Sequence, residues 1–408
     1  MPSRQTSSRA VELGGVQPNG SRQLGRRSSV CLTDDGAVAG LADGTVAAYD
    51  GDPTERWRNE ADDRGSVVAL APFADGVLAG ERGVDGEIRL HDADTGNVRW
   101  RYRTADDVGD PERETRFYLP FVADVAVSDG GERAFVAARR YERGPDGGRN
   151  FRSAVYAFEA DGSVAWRFAA DASPISLAAD GDRVAVAYNR CPGHHGAGLV
   201  VLDAYTGEER RRWDPPGGGD RRVGDVALAP DGFVAASHAD YRGYRIDGDG
   251  VRWAVDLGRP VDRGHETVYT YPNHVHATAA GALFVTGNTY PEEGRETDAR
   301  HPSEHTAVGV AADGEQRFAD HVGGFAHETA IHGDRLAVPV AQHFRERDPA
   351  RHGVRVYDVE GGRTESWSAA GVVTAAAVDA DRVTGVEEPV TYHDDGEQRG
   401  AYRLRLFD

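Results

Sequence analysis

The stretch DADTGNVRW, residues 92–100, decides the fold of this chain, because related stretches recur along the whole sequence. Each combines alternating apolar and polar residues, a turn rich in Asp and Gly, and an aromatic residue in the next alternating segment. The chain is therefore built from an internal repeat of about 40–50 residues, with some longer intervals. All six tryptophans and one phenylalanine occupy the aromatic position: Trp57, Trp100, Trp166, Trp213, Trp253, Phe318 and Trp367.

Each repeat contains a second hairpin pattern upstream of the first. The segments SVCLTDDGAVAGL (29–41) and DVALAPDGFVAAS (225–237) alternate around an Asp/Gly turn, which is typical of two antiparallel strands joined by a tight turn. Each repeat thus has four strands, named A to D in chain order. No segment shows the helical periodicity that an α-solenoid needs. The sequence predicts an all-β chain, a WD40-like β-propeller of four-stranded antiparallel blades.

Counting the A-B-C strand sets predicts eight blades, with seven as the alternative. The last set has no D strand of its own, because the sequence ends there. We expect the N-terminal segment, around Val11 to Leu24, to supply this strand and close the ring, which removes exposed sheet edges. Residues 1–27 are then an N-terminal segment, partly disordered and partly the ring-closing strand, and residues 28–408 form the propeller domain.

The turn pattern resembles that of a known family. Asp92-Ala93-x-Thr95-Gly96, followed by Trp100, is similar to the tryptophan-docking motif of the pyrroloquinoline-quinone-like (PQQ-like) propeller repeats. Asp203-Ala204-x-Thr206-Gly207, followed by Trp213, is similar with a longer turn. The resemblance implies tryptophans that pack between neighbouring blades. The family includes quinoprotein alcohol dehydrogenases and a non-enzymatic propeller lipoprotein of outer-membrane assembly, so the resemblance implies a shape and leaves the activity open.

The cysteines argue against a quinone enzyme. In the quinoprotein dehydrogenases, adjacent cysteines form a vicinal disulfide over the cofactor, beside a Ca²⁺ ion and a catalytic Asp. The two cysteines of this chain, Cys31 and Cys191, lie far apart in sequence. We therefore expect no PQQ and no quinone-dependent catalysis.

The charge balance points away from nucleic acid as a partner. The chain has 67 acidic and 47 basic residues, a net charge of −20, and every basic residue is Arg. This composition is typical of haloarchaeal proteins, because molar salt shortens the Debye length to about 3 Å and screens self-repulsion. A bias towards GC-rich codons is the alternative explanation for Arg without Lys. Phosphate binding needs a basic surface, which this composition does not favour.

The sequence also indicates where the protein works. It contains no apolar run of about 18 residues that would cross a membrane. Its first residues have no apolar segment of the kind found in signal peptides. We expect a cytoplasmic, monomeric protein without a membrane partner.

The connections between the predicted strands differ in length. The A–B and C–D turns are tight, whereas the B–C and D–A connections are longer, most of all between Trp100 and Trp166 and between Trp253 and Phe318. Successive connections of an antiparallel sheet lie at opposite ends, so the long ones share one face. Binding residues concentrate on loops that a rigid scaffold holds. The sequence predicts a non-catalytic scaffold that binds a protein or a small molecule on its loop-rich face.

The histidines suggest where on that face a ligand binds. Ten of the fifteen lie between His265 and His352, in the predicted blades six and seven. Two readings stay open, a polar lining of the central channel and a site for a divalent transition metal held by His274, His276 and His327. The second reading supports an alternative function, a metal-dependent lyase or hydrolase at the channel mouth. The candidate ligand-binding residues are Asn273, His274, His276, Asn288, His327, Glu328, His343 and His238, and no residue is assigned a catalytic role. We expect Asn273 to His276 to open the innermost strand of blade six and His327-Glu328 to open that of blade seven. Asn288 and His343 are expected to end the B strands beside them.

Overall fold

A computed structural model describes residues 8–22, 24–60 and 65–407 of the chain. Residues 1–7, the start of the segment predicted to be partly disordered, lie outside the described residues. The chain divides into two compact units. We name residues 27–50 and 54–228 the N-terminal unit, and residues up to 26, 51–53 and from 229 onward the C-terminal unit.

The N-terminal unit consists almost entirely of strands. The chain begins with β1 (Ser8–Glu12), which belongs to the C-terminal unit. The following strands are β2 (Ser29–Thr33), β3 (Gly36–Gly40), β4 (Val46–Asp50), β5 (Glu55–Asn59), β6 (Ser66–Phe73), β7 (Gly76–Arg82), β8 (Glu87–Asp92), β9 (Val98–Arg103), β10 (Phe121–Val127), β11 (Ala134–Arg143), β12 (Arg149–Phe158), β13 (Val164–Ala170), β14 (Ser173–Asp180), β15 (Arg183–Arg190), β16 (Leu199–Asp203), β17 (Glu209–Trp213) and β18 (Val223–Ala229).

The C-terminal unit continues the same pattern. Its strands after β1 are β19 (Gly232–Ser237), β20 (Arg242–Asp247), β21 (Gly250–Asp256), β22 (Val261–Arg263), β23 (Glu266–Thr278), β24 (Gly281–Pro291), β25 (Thr306–Ala311), β26 (Gln316–His321), β27 (Ala330–His332), β28 (Arg335–Val340), β29 (Gly353–Asp358), β30 (Gly362–Ser368), β31 (Val372–Val378), β32 (Val383–Glu388), β33 (Val390–Thr391), β34 (Gln398–Arg399) and β35 (Arg403–Phe407).

Neighbouring strands pair antiparallel in sequence order. In the N-terminal unit β2–β5 and β14–β17 form four-stranded sheets, and the groups β6–β9 and β10–β13 are joined into one eight-stranded sheet by a single pairing between β7 and β10. In the C-terminal unit β19–β21 are neighbours, β22–β26 form one sheet and β27–β30 the next. Helix is confined, in the described residues, to α1 (Ala105–Val108) and one 3₁₀ turn (Pro349–Arg351), and neither could span a membrane. The prediction of an all-β chain with four-stranded antiparallel sheets is confirmed; eight or seven blades stays a prediction.

The N-terminal strand joins the last sheet of the C-terminal unit. β1 pairs antiparallel with β35, from Ser8 opposite Phe407 to Glu12 opposite Arg403. The sheet order β1-β35-β32-β31 gives this last group its fourth strand. The predicted segment, around Val11 to Leu24, was placed too late in the sequence, because the paired strand ends at Glu12. Closure of a ring by this strand stays a prediction.

The repeated turn owes its shape to an aspartate side chain. Oδ1 of Asp92 accepts the backbone N–H groups of Asp94 (3.2 Å) and Thr95 (2.9 Å), and Gly96 follows with φ at 72°. That conformation is strained for residues with a Cβ atom. Asp-x-x-Thr-Gly is therefore a sequence for a tight turn with a left-handed last residue.

The tryptophans dock on these turns. The indole Nε1–H groups of four tryptophans each donate to the carbonyl of an alanine in the next turn of the same unit. Next to Trp166, a Cβ atom on Gly207 would lie 2.6 Å from Cδ2 of the indole, so only glycine lets the ring approach the turn. The bonds are Trp57 to Ala93 (2.7 Å), Trp100 to Ala160 (3.1 Å), Trp166 to Ala204 (3.0 Å) and Trp253 to Ala312 (3.1 Å).

The core consists of apolar clusters between successive sheets. One cluster joins Val155 and Trp166 of the β10–β13 group to Val186 and Leu202 of the β14–β17 group, all buried. Another joins Trp367 of β30 to Phe407 of β35. The alternation in each strand directs one set of side chains into each interface. This packing holds the sheets rigid and leaves the connections between them free to carry a site.

Candidate functional site

The long connections of the C-terminal unit lie at one end of its strands. They are residues 238–241, 257–260, 292–305, 322–329 and 341–352, which are the B–C and D–A connections of successive sheets. We call this the long-loop end of the C-terminal unit. It carries two groups of side chains, a tyrosine cluster and a histidine cluster.

The tyrosine cluster comprises Tyr241, Tyr269, Tyr271 and Tyr290. Tyr241 lies 4.7 Å from Tyr269 and 5.5 Å from Tyr271 between ring centroids, and Tyr290 lies 5.9 Å and 5.5 Å from the same two rings. These spacings are those of interacting aromatic pairs. Tyr271 is buried, while the other three are partly exposed. Tyr241 has a φ of 65°, a conformation that is rare without glycine and concentrates at functional sites.

Three histidines from the predicted set are held by backbone carbonyls. Nε2 of His238 donates to the carbonyl of Pro272 (3.0 Å), and its ring lies 4.6 Å from that of Tyr271. Nε2 of His274 donates to the carbonyl of Ala326 (3.1 Å), and Nε2 of His276 donates to that of Gly333 (2.8 Å).

Burial keeps two of these rings uncharged. It lowers the pKa of His274 to about 4 and also lowers the pKa of His276. Both are therefore neutral at pH 7 and tie β23 to the connection 322–329 and to the β27–β28 turn.

His327 and Glu328 lie slightly earlier than predicted. They were expected to open the innermost strand of blade seven, but β27 begins at Ala330. Glu328 forms a largely buried ion pair with Arg26 (2.8 Å), and His327 packs edge-on against Phe325 (5.1 Å).

The strand positions of the other predicted residues also differ. Asn273 lies inside the long β23 and packs against Gly287. Asn288 lies inside β24 rather than at its end, because this strand continues to Pro291. His343 follows β28 by three residues instead of ending it.

The histidine cluster comprises His305, His321 and His343. Each offers one ring nitrogen, and the three nitrogen atoms lie within 4.8 Å of one another. In the part of the chain that the structure describes, this is the group of His, Cys, Asp and Glu side chains with the spacing of a metal site. His274, His276 and His327 do not form such a group among the described residues, and their part in metal binding or in a lyase or hydrolase reaction stays a prediction.

His305 is the most constrained member. Its side chain is fully buried, and its backbone has a φ of 47°. Nε2 donates to Oδ1 of Asn288 (2.8 Å), which places the ring proton on Nε2 and leaves the lone pair on Nδ1. This Nδ1 is buried and has no hydrogen-bond partner among the residues that the structure describes. Burial lowers the pKa of His305 to about 3, so the lone pair is available at neutral pH.

His343 faces a buried carboxylate. Its Nε2 is buried without a hydrogen-bond partner and lies 3.4 Å from Oε2 of Glu304. Oε1 of Glu304 accepts from the Thr289 amide (3.0 Å) and from Arg345 Nη1 (2.7 Å). Burial alone would raise the pKa of Glu304, but the interaction with His343 and the neighbouring His305 hold this pKa well below its usual range. Glu304 is therefore ionised beside the cluster, with the Arg345 guanidinium as its ion-pair partner.

The sequence located part of this cluster. The sequence analysis predicted His343 and Asn288, the residue that binds His305. It did not predict His305, His321 or Glu304. The strand register brings the missed histidines together, because Thr306 of β25 pairs with His321 of β26 and His305 directly precedes Thr306. Aligning the C and D strands of this repeat on their turn would have brought His305 and His321 together.

Comparisons with known proteins address the fold. Residues 42–239, somewhat under half of the chain, match the family model described as outer membrane protein assembly factor BamB. The BamB structure from Moraxella catarrhalis is similar over 98% of this chain and 99% of its own, with 16% identity and a TM-score of 0.57. The computationally designed Ika8 protein is similar over 95% and 100%, with 14% identity and a TM-score of 0.55.

A quinohemoprotein alcohol dehydrogenase from Comamonas testosteroni has the same fold. The similarity covers 99% of this chain and 76% of the enzyme, with 10% identity and a TM-score of 0.53. A comparison with curated protein sequences finds no match. At these identities the solved structures establish the fold alone. The repeats, the family match and these structures together support one conclusion: the chain has the fold of a PQQ-like β-propeller.

Proposed function

We propose that this protein is a non-catalytic scaffold that binds a protein partner at the long-loop end of the C-terminal unit. The observation that carries the proposal is the tyrosine cluster. Tyrosine is enriched in the centres of protein interfaces, because its ring gives a large contact area with little loss of side-chain entropy. The family whose model matches residues 42–239 is named for an assembly role, which is consistent with a binding function.

The charge around the cluster defines the chemistry of the partner. Glu292 and Glu293 follow β24 directly after Tyr290 and Pro291, and both are exposed. Arginine in a partner would pair with these carboxylates and stack on the tyrosine rings. We therefore propose an arginine-bearing protein segment as the ligand.

The experiment that tests this proposal is site-specific photo-crosslinking in the native host. A photoreactive phenylalanine analogue replaces Tyr241 in one variant and Tyr205 in the other. Tyr205 is a matched control because it is 59% exposed and lies at a tight C–D turn in the N-terminal unit. We expect a discrete crosslinked protein from position 241 that is absent from position 205.

The affinity of the purified partner then distinguishes specific docking from non-specific crosslinking. Tyr269→Ala should weaken its binding at least about tenfold, the effect of losing an aromatic hot-spot residue, and Tyr205→Ala should leave the affinity unchanged. Equal crosslinking at both positions would contradict the proposal. A crosslink to a small molecule alone, with no protein captured, would also contradict it.

We also propose that the propeller has eight blades and that β1 completes the last one. The support is the β1–β35 pairing and the four-strand groups within each unit. Removal of residues 1–12 exposes the edge of β35 and should lower the melting temperature and promote aggregation. An unchanged melting temperature would contradict a closing role for β1.

A further inference from the structure

The histidine cluster has features that packing does not require. Two of its nitrogen atoms, Nδ1 of His305 and Nε2 of His343, are buried without a hydrogen-bond partner in the described part of the chain. A buried polar atom without a partner destabilises the fold. His305 adds a left-handed backbone conformation, which is strained for a residue with a Cβ atom. Backbone strain and buried polar atoms without partners, found together in one cluster of side chains, are typical of a binding site.

The donor chemistry at this point matches a transition metal. Neutral imidazole nitrogen is the preferred ligand of Zn²⁺ and of neighbouring divalent ions. In known metal sites the second ring nitrogen usually donates to a carboxylate or amide oxygen, which fixes the ring and its tautomer. The hydrogen bond from His305 Nε2 to Asn288 Oδ1 (2.8 Å) is such a contact. Oε2 of the Glu304 carboxylate lies 3.4 Å from His343 Nε2, while Oε1 pairs with Arg345 (2.7 Å), so one carboxylate oxygen faces the cluster.

The distances require a modest contraction. A tetrahedral ion with Zn–N bonds of about 2.0–2.1 Å holds its nitrogen atoms about 3.3 Å apart, whereas the three nitrogens now lie within 4.8 Å of one another. His305 and His343 are fixed by burial, but His321 is exposed at the end of β26 and can rotate towards them. Its exposure also gives the ion a path from solvent and leaves a fourth position for water.

The tautomer of His343 has to change on binding. Its Nδ1 accepts the backbone N–H groups of Arg345 (3.2 Å) and Glu346 (3.3 Å), which places the proton on Nε2. Both contacts are long for hydrogen bonds, so they are weak. Coordination through Nε2 moves the proton to Nδ1 and displaces these two amides, with no net gain or loss of protons.

We propose that His305, His321 and His343 form a Zn²⁺-class metal site, with Glu304 as its charge partner and Asn288 as the residue that orients His305. The proposal is independent of the protein-binding function above. It moves the predicted metal site from His274, His276 and His327 to another part of the same region.

The test is direct metal binding to the untagged full-length protein after treatment with a chelator. Zn²⁺ binding is measured by calorimetry, and Co²⁺ binding by the visible absorption of the four-coordinate ion. We expect one equivalent of either ion. His321→Ala, whose side chain is exposed and whose loss should leave the fold intact, should weaken binding at least about 100-fold. Asn288→Ala should weaken it about 10–100-fold, the usual effect of removing the residue that orients a ligand.

Two further histidine variants serve as controls. His332→Ala removes an exposed histidine of β27, and His276→Ala removes a predicted ligand; both should bind Zn²⁺ as the unmodified protein does. Zn²⁺ should also speed hydrogen exchange at the amides of Arg345 and Glu346. Absence of stoichiometric binding would overturn the proposal. So would equal affinity in His321→Ala, or loss of binding in His276→Ala alone.

Discussion

The docking turn at Asp203–Gly207 and the histidine cluster at the long-loop end of the C-terminal unit are built on different principles. The hydrogen bond that holds the Trp166 indole on its turn recurs at Trp57, Trp100 and Trp253. Each of these indole N–H groups has a backbone carbonyl as its acceptor. His305 and its neighbours occur once, with strained backbone and unsatisfied nitrogen atoms. The repeated region stabilises the fold, whereas the unique region has features that cost stability and that our proposal explains by metal binding.

The first prediction tests whether a docked tryptophan stabilises the fold. Trp166→Ala should lower the free energy of unfolding by about 3–5 kcal/mol, because the change empties a buried aromatic site between two sheets. It also removes the indole hydrogen bond to the Ala204 carbonyl, which keeps a second donor in Arg133. Denaturant unfolding followed by circular dichroism measures this. Val251→Ala, at an exposed strand position, should change stability by less than about 0.5 kcal/mol. Similar losses of stability in both variants would show that the docked tryptophan stabilises the fold no more than an exposed side chain does.

This tryptophan was predictable because its environment is local and repeated. Asp203, Thr206 and Gly207 lie within five residues, and their hydrogen bonds can be read from side-chain chemistry. The histidine cluster depends on long-range geometry, namely the register of β25 against β26 and the course of the connection after β28. Sequence periodicity does not carry that information for residues that occur once. The number of histidines indicated the region, and strand pairing selected the members.

The second prediction separates steric overlap from backbone strain at the turn. Gly207→Ala places a Cβ atom 2.6 Å from the Trp166 ring at a φ of 72° and should cost about 1–3 kcal/mol. Gly181→Ala is the matched control, since Gly181 has a φ of 57° but nothing within 4 Å of the added atom. The loss of stability in Gly181→Ala should be smaller, because it comes from backbone strain alone. Equal losses would mean that contact with the indole does not constrain the turn.

The third prediction concerns acid stability at the same turn. Hydrogen bonds from Arg210 and from the Thr206 amide lower the pKa of Asp203 to about 2, below its ordinary value of about 3.9. A depressed carboxyl pKa contributes stability that is complete above about pH 4 and is lost as the pH falls towards 2. Asp203→Asn should therefore lower the melting temperature at pH 6, and the difference should narrow between pH 4 and pH 2. A difference that stays constant over this range would contradict the ion pair as its cause.

The smallest effect is expected at the histidine cluster itself. In metal-free protein, His321→Ala should change the free energy of unfolding by less than about 0.5 kcal/mol. Its side chain is exposed, its contact with Arg351 is long (3.4 Å), and its ring lies 6.3 and 6.4 Å from those of His305 and His343. Denaturant unfolding in the presence of chelator measures the change, with His332→Ala as the control. A loss of stability as large as that of Gly207→Ala would show that His321 has a structural role. A negligible loss would leave ligand binding as the reason for a histidine at this strand end, since the fold does not need it.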